Sequence, residues 1–338
     1  MNFHFLSFLY IFNVSHFIYK QNSDIIVFPE NGILFGLQTR ELTLKHGEYL
    51  PDNKTQMCTS DYKKNSPIAY RLACIAKKYS IFLAADMVDL QPCFANCPRD
   101  QRYAFNTAVL FDRNGVLLAK YHKMHLFGEM TLNLPPEDEL IVVNTEIGRL
   151  GLQICFDMIY RKPGVVLAQL KQLDTMVYPT WWFDELPFLG ALQYQQGWAL
   201  TNQINLLASN IHKIQVGSRG SGIYAGSTGK FASLNYPDMI SRLLIATVPT
   251  SSQSPSSKCS SLDTKIFEVP QKVYNKNNQI YSYKNMNLNS TEKVEIKPKM
   301  DQANICHLGV CCNFEYKIDP ETSVSGKYFS KLMHENLN

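Results

Sequence analysis

The sequence has no apolar run long enough to span a bilayer, no basic run interleaved with aromatics and no pair of C-x-x-C motifs. Each absence removes a class of function. The most apolar stretch, residues 1–19, is interrupted by His4, Ser7, Asn13, Ser15 and His16, so it falls short of the roughly 20 apolar residues of a transmembrane helix. The formal net charge of +4 is spread along the chain, which argues against nucleic acid as a partner. His307 beside Cys306, Cys311 and Cys312 does not complete a zinc site, so neither a metal nor a cofactor is expected. With 45% hydrophobic and 18% charged residues in 338, the chain reads as globular, one large α/β unit plus an appendage.

What is present points outward from the cell. Residues 1–20 resemble a secretory leader, although the basic n-region and a small-residue cleavage site are missing; a buried helix or strand is the competing reading. Asn13-Val-Ser, Asn53-Lys-Thr and Asn289-Ser-Thr are glycosylation acceptors. Cys93 and Cys97 are spaced to close a small loop, and disulfides in an oxidising compartment suit nine cysteines better than metal does. An odd count leaves at least one thiol unpaired within the chain. Cys155 and Cys74 are the candidates.

Strand and helix patterns alternate along the chain. Residues 24–28 are an apolar strand closed by Pro29, with Glu30 next. Residues 67–79 carry Ile68, Leu72 and Ile75 on one helical face. Residues 81–88 read as a strand. Residues 103–111 and 116–121 are strands joined by Asp112-Arg-Asn-Gly115, whose Asn-Gly pair signals a hairpin turn. Lys123 lies just past the second of them. Residues 149–154 alternate and end at Cys155, and Pro163 opens a helical pattern through Leu170. Residues 174–178 form a strand with Thr180, Trp181 and Trp182 beyond its end. A helix follows at 187–203, with further strands at 205–209 and 243–248. This alternation predicts an α/β sandwich over residues 21–248. The Ser-, Thr- and Pro-rich residues 249–261 read as a linker to a small β-rich appendage over 249–338.

Glu30, Lys123 and Cys155 thus fall at the carboxyl ends of three strands, where open α/β sheets gather ligands. A carboxylate base, an ammonium facing a developing oxyanion and a thiol nucleophile together suit amide cleavage. A papain-like pairing of Cys155 with His122, His125 or His212 is the rival, without its local cysteine signature.

These segments resemble the nitrilase (carbon-nitrogen hydrolase) superfamily, and within it the biotinidase and vanin (pantetheinase) branch. The resemblance is carried by Asp24-Ile-Ile-Val-Phe-Pro-Glu30, by Tyr121-His-Lys-Met-His-Leu-Phe127 with Glu129, and by Cys155-Phe-Asp157. Val177-Tyr-Pro-Thr-Trp181, Leu207-Ala-Ser-Asn-Ile-His212, Gly220-Ser-Gly-Ile-Tyr224 and the cysteines at 306–312 extend it over about residues 22–318. It implies a nitrilase-like αββα sandwich with an incomplete vanin-type base domain. Two departures accompany it: the family's strand and long helix before the glutamate strand are not evident, and after about residue 317 the chain drifts without the hydrophobic tail of a GPI anchor. Both ends are therefore expected to be truncated.

The implied mechanism makes Glu30 the base and later proton donor, Cys155 the nucleophile, and Lys123 with the Phe156 N–H the oxyanion site. Glu129 would orient Lys123. Trp181, Trp182 and Tyr224 would wall the pocket for a small amide, pantetheine or a biotinyl amide. Unperturbed thiol and glutamate pKa values lie about four units apart, roughly 5 to 6 kcal/mol of proton transfer. The Lys123 cation is expected to narrow that gap by lowering the thiol. The alternative is an inert secreted paralogue with an incomplete scaffold.

Overall fold

The computed structural model describes residues 15, 19, 21–33, 39–94, 97–170, 173–186, 188–249 and 262–269, and the strand segments 284–285, 292–295, 302–307, 310–315 and 331–334. Two compact units divide the chain, 1–284 and 285–338. The first contains two packed sheets. One has the order β1-β3-β4-β5-β2, built from β1 (Ile25–Val27), β2 (Thr55–Gln56), β3 (Phe82–Pro92), β4 (Arg102–Phe111) and β5 (Val116–His122). The other runs β12-β11-β10-β8-β7-β6. Its strands are β6 (Val142–Thr145), β7 (Gly148–Leu152), β8 (Thr175–Thr180), β10 (Asn205–Asn210), β11 (Ser221–Ala225) and β12 (Lys230–Leu234). The two-residue β9 (Glu185–Leu186) lies outside both sheets. β1 runs parallel to β3, and β8 parallel to both β7 and β10.

Three apolar layers make this an αββα sandwich. Ala84, Ala108, Leu110, Ala119 and Tyr121 of the first sheet pack on Leu150, Leu152 and Val177 of the second. The outer face of the first sheet is covered by helix α3 (Pro67–Tyr79), which follows α1 (Arg40–His46) and α2 (Ser60–Asn65). Ile68, Leu72 and Ile75, the residues expected on one face, are all buried there. Each such side chain contributes about 1.5–3 kcal/mol. Pro67 occupies the first turn, and the buried Glu48 carboxylate accepts the N–H groups of Ile68 (2.6 Å) and Ala69 (3.0 Å). On the opposite side, α4 (Val166–Gln169) and α5 (Ala191–Asn202) cover the second sheet through Leu167, Ala168, Trp198 and Ala199.

Local chemistry sets the turns that carry the site. In the β4–β5 hairpin, Oδ1 of Asp112 accepts the N–H groups of Asn114 and Val116 at 2.8 Å each, and Gly115 takes φ +79°. The helix expected to open at Pro163 starts as regular α-helix three residues later. Cys155–Ile159 form a 3-10 turn, Lys162 is extended, and regular helix begins only at Val166. The residue before a proline is driven out of the helical region, which delays the helix.

The leader expectation falls mainly on residues outside the described set. Ser15 and Tyr19, which are described, are helical; Ser15 is buried, and the Tyr19 ring lies 6.0 Å from that of Tyr79. Beyond residue 249, β14 (Thr264–Glu268) pairs antiparallel with β13 (Arg242–Ala246) in the first unit. Over the described strands of the second unit, Gln302–His307 and Val310–Glu315 pair antiparallel, which sets Cys306 opposite Cys311.

Two disulfides are present among the described residues, Cys58–Cys74 and Cys93–Cys97. The first corrects the reading of Cys74 as a candidate free thiol: α3 brings it to 4.9 Å, Cα to Cα, from Cys58. Closing that loop of 16 residues is worth about 3 kcal/mol in a chain-entropy account. Cys155 is a free, buried cysteine.

Candidate active site

The site forms where β1, β5, β7 and β8 end. Past β1, the Pro29 carbonyl accepts the Gly32 N–H (3.1 Å), turning the chain so that the Glu30 side chain is buried. Oε1 of Glu30 accepts Lys123 Nζ at 2.8 Å and Asn106 Nδ2 at 2.8 Å, and Oε2 accepts the Trp181 N–H at 2.8 Å. Lys123, just past β5 and 1% exposed, also donates to Oε1 of Glu129 at 2.5 Å. The structure therefore brings Glu30, Lys123 and Glu129 into one contact network.

Cys155 joins this network from β7. It is buried, and its backbone takes φ +43°, a left-handed conformation uncommon for a residue with a Cβ. Asp157 holds the turn. Its Oδ2 accepts the Ile154 N–H (3.0 Å) and the Tyr121 hydroxyl (2.7 Å), while Oδ1 accepts the His125 N–H (3.0 Å). The Tyr178 hydroxyl donates to the Cys155 carbonyl at 2.8 Å. Thr180 and the backbone of Trp181 lie near enough to the sulfur to favour its thiolate.

The electrostatics correct one expectation. Burial first, and then the Glu30 charge, push the Cys155 thiol well above its ordinary range; Lys123, Thr180 and Trp181 pull it down but do not prevail. Cys155 therefore rests as a thiol. Burial lowers the Lys123 pKa, but the carboxylates of Glu30 and Glu129 outweigh it and hold the ammonium well above its ordinary range. A second raised group stands nearby, for burial and then the Glu30 charge push Asp86 well above the usual carboxylate range.

Of the three predicted pocket aromatics, Trp181 alone sits at this site. Trp182 is buried in the core between the sheets, its Nε1 donating to the Leu189 carbonyl at 2.8 Å. Tyr224 is buried against the helical layer, where its hydroxyl donates to Gln195 Oε1 at 3.0 Å. The aromatic rim is instead Trp181, Phe183, Phe127 and Phe156, with Phe127 lying 5.0 Å from Phe156 and 6.0 Å from Phe183 between ring centroids. Phe127 is half exposed. The sequence reading missed Phe127, Phe183, Asn106 and Asp86. The first was inside a quoted motif, and the last two sit in apolar strands with nothing to mark them. The histidines weighed as alternative bases are engaged by carboxylates or carbonyls: His122 by Asp89 and Glu139, His125 by Asp157, and His212 by the Asp238 carbonyl.

A cavity of about 480 Å³ lies elsewhere, lined by Ile25, Val27, Leu207, Leu243 and Ile245 without Glu30, Lys123 or Cys155. The polar site is identified by its chemistry and not by that volume.

The carbon-nitrogen hydrolase family model matches residues 13–252. The chain is 33% identical to a mouse (Mus musculus) pantetheinase over 313 residues, covering 88% of this chain and 59% of the relative. It is 35% identical to a Takifugu rubripes biotinidase over 242 residues, covering 68% and 48% respectively. Among solved structures, Saccharomyces cerevisiae Nit3, of the nitrilase superfamily, superposes with a TM-score of 0.49 at 21% identity, over 63% of this chain and 74% of that one. The chain thus spans about half the length of the curated relatives it matches.

Proposed function

The chain belongs to the carbon-nitrogen hydrolase family, and from that premise we propose that it is a thiol amidohydrolase cleaving small linear amides, pantetheine first among them. The observation that carries this reading is the buried Lys123 ammonium, held by Glu30 and Glu129, with the buried Cys155 thiol under the influence of both Glu30 and Lys123. In the first step Glu30 accepts the thiol proton as sulfur bonds the amide carbonyl carbon. The carbonyl π pair moves to oxygen, facing Lys123 and the N–H groups that open the 3-10 turn at Phe156. The C–N bond then breaks, and protonated Glu30 gives its proton to the departing amine. Water, deprotonated by Glu30, attacks the thioester; the C–S bond breaks and the thiol is restored. Glu129 holds Lys123 from its other side.

Because the resting thiol is neutral, the proton moves only when substrate arrives to displace solvent and receive the sulfur. The rim of Trp181, Phe183, Phe127 and Phe156 suits an extended acyl chain, as in pantetheine or a biotinyl amide. Pantetheine is favoured by the pantetheinase match, which extends over more of this chain than the biotinidase match. The two disulfides support a secretory, oxidising compartment. Asn53 is exposed and uses only its Oδ1, on the Lys120 N–H, leaving Nδ2 available to a glycan.

The test is expression in a secreting animal cell, with cysteamine release from pantetheine and lysine release from biocytin measured on the purified chain. Cys155→Ala is expected to lower turnover at least about a thousandfold, some 4 kcal/mol of barrier. Cys155-independent release, or none from either substrate by folded protein, overturns the reading. On the same material, a peptide-N-glycosidase gel shift is expected, and its loss in Asn53→Gln checks the compartment.

A further inference from the structure

A third buried carboxyl adjoins this site, and the mechanism above does not use it. Asp86, in β3, is 2% exposed. Its Oδ1 accepts the N–H of Asn31, the residue after Glu30, at 2.8 Å. Asn31 has φ +53°, so Asp86 pins the backbone leaving Glu30 at its strained point.

The other oxygen, Oδ2, has no hydrogen-bond partner. Neither does Oδ1 of Asn106, in the adjacent strand β4. In the β3–β4 register Asp86 lies opposite Ala108 and Val88 opposite Asn106. Residues 86, 88, 106 and 108 therefore share one face, and Asp86 and Asn106 are diagonal neighbours, within reach of each other's side chains. The Asn106 amide cannot relieve the conflict by turning over. Its Nδ2 donates to Oε1 of Glu30 (2.8 Å) and towards Oε1 of Glu129 (3.4 Å), both acceptors. Two buried oxygens are thus left without donors on adjacent strands, and one proton would satisfy both.

We infer that Asp86 is a positioning residue for Glu30: it carries a proton on Oδ2, donates it to Oδ1 of Asn106, and so holds Glu30 through Asn31 on the backbone side and Asn106 on the carboxylate side. The inference rests on the reading of Glu30 as the catalytic base. The charged groups facing Asp86 are the carboxylates of Glu30 and Glu129 and the ammonium of Lys123; β4 contributes the neutral Asn106. Burial and the Glu30 charge favour the protonated acid, against the Asn31 N–H and Lys123. If Asp86 ionises at high pH, Asn106 loses its donor and a third carboxylate crowds a single ammonium. Activity should then fall.

Three measurements test this. Difference infrared spectra between wild type and Asp86→Asn at neutral pH should show a protonated-carboxyl C=O band assignable to Asp86. Asp86→Ala should lower kcat about 10- to 100-fold with KM within about twofold, by analogy with residues that orient a reacting group through a second one. Asp86→Asn, which can still accept from Asn31 and donate to Asn106, should recover about tenfold of that loss and shift the alkaline limb of the pH–rate profile upward. Cys155 alkylation by iodoacetamide should follow the same order and the same pH shift. Absence of the infrared band, or an alkaline limb that Asp86→Asn leaves in place, overturns the inference. The infrared and alkylation readouts need no substrate, so they separate its failure from a failure of the amidohydrolase reading.

Discussion

His122 and Lys123 are neighbours in the chain, yet they enter two different polar clusters. His122 lies between Asp89 (2.9 Å) and Glu139 (2.6 Å), and Lys120 also reaches Asp89, at 2.9 Å. Both Asp89 oxygens are fully engaged, for Oδ1 takes the Leu50 N–H and the Gln91 amide as well. The Lys123 cluster sets Glu30, Glu129 and Asp86 around one ammonium. It leaves two buried oxygens without donors and flanks them with left-handed backbone at Asn31 and Cys155. Both clusters are buried and ionic, and neither charge nor burial separates them. Satisfaction does. The first is fully hydrogen-bonded and ties strands together, whereas the second keeps strain and unmet hydrogen bonds, which the proposed proton transfer would use.

Breaking the satisfied cluster should cost stability first. Asp89→Ala removes the shared acceptor of His122, Lys120, Gln91 and the Leu50 N–H, and is expected to lower unfolding free energy by about 3–5 kcal/mol in urea titrations. The same titration on Cys155→Ala should move far less. If Asp89→Ala keeps its stability but loses turnover, the division between the clusters fails.

A pH series sharpens the contrast. Burial would lower the His122 pKa, but Asp89 and Glu139 outweigh it and raise it above the ordinary histidine value. A raised folded-state pKa contributes stability that is complete below the unfolded histidine pKa of about 6.5 and disappears as pH rises through the folded value. The urea midpoint of wild type should therefore fall on going from about pH 6 to about pH 9, and His122→Asn should flatten that decline. An unchanged slope in His122→Asn would locate the titration elsewhere.

The smallest effect should come from the rim of the reactive cluster. Phe127→Ala removes a half-exposed ring that packs on Phe156 and Phe183, with an expected loss of about 1 kcal/mol in kcat/KM, roughly fivefold. The change should fall in KM, since the ring touches no group that exchanges a proton. A loss confined to kcat would move Phe127 from the rim to the reacting centre.

The sequence alone determined the elements that its own neighbours enforce. The helix at 67–79 follows from apolar spacing and a proline in its first turn, and the 112–115 turn from an aspartate whose side chain bonds the two N–H groups it needs. Punctuated strand ends at Glu30, Lys123 and Cys155 were legible for the same reason: strand length and a following turn are local properties. Only the tertiary structure decided which residues meet. Pairing of Cys74 with Cys58, the core burial of Trp182 and Tyr224, and the gathering of Asp86 and Asn106 beside Glu30 depend on β3–β4 register and on which face of a sheet is covered. A resting thiol at Cys155 was likewise beyond the sequence, because burial outweighs the lysine only once the two sheets close over the sulfur and exclude water from it.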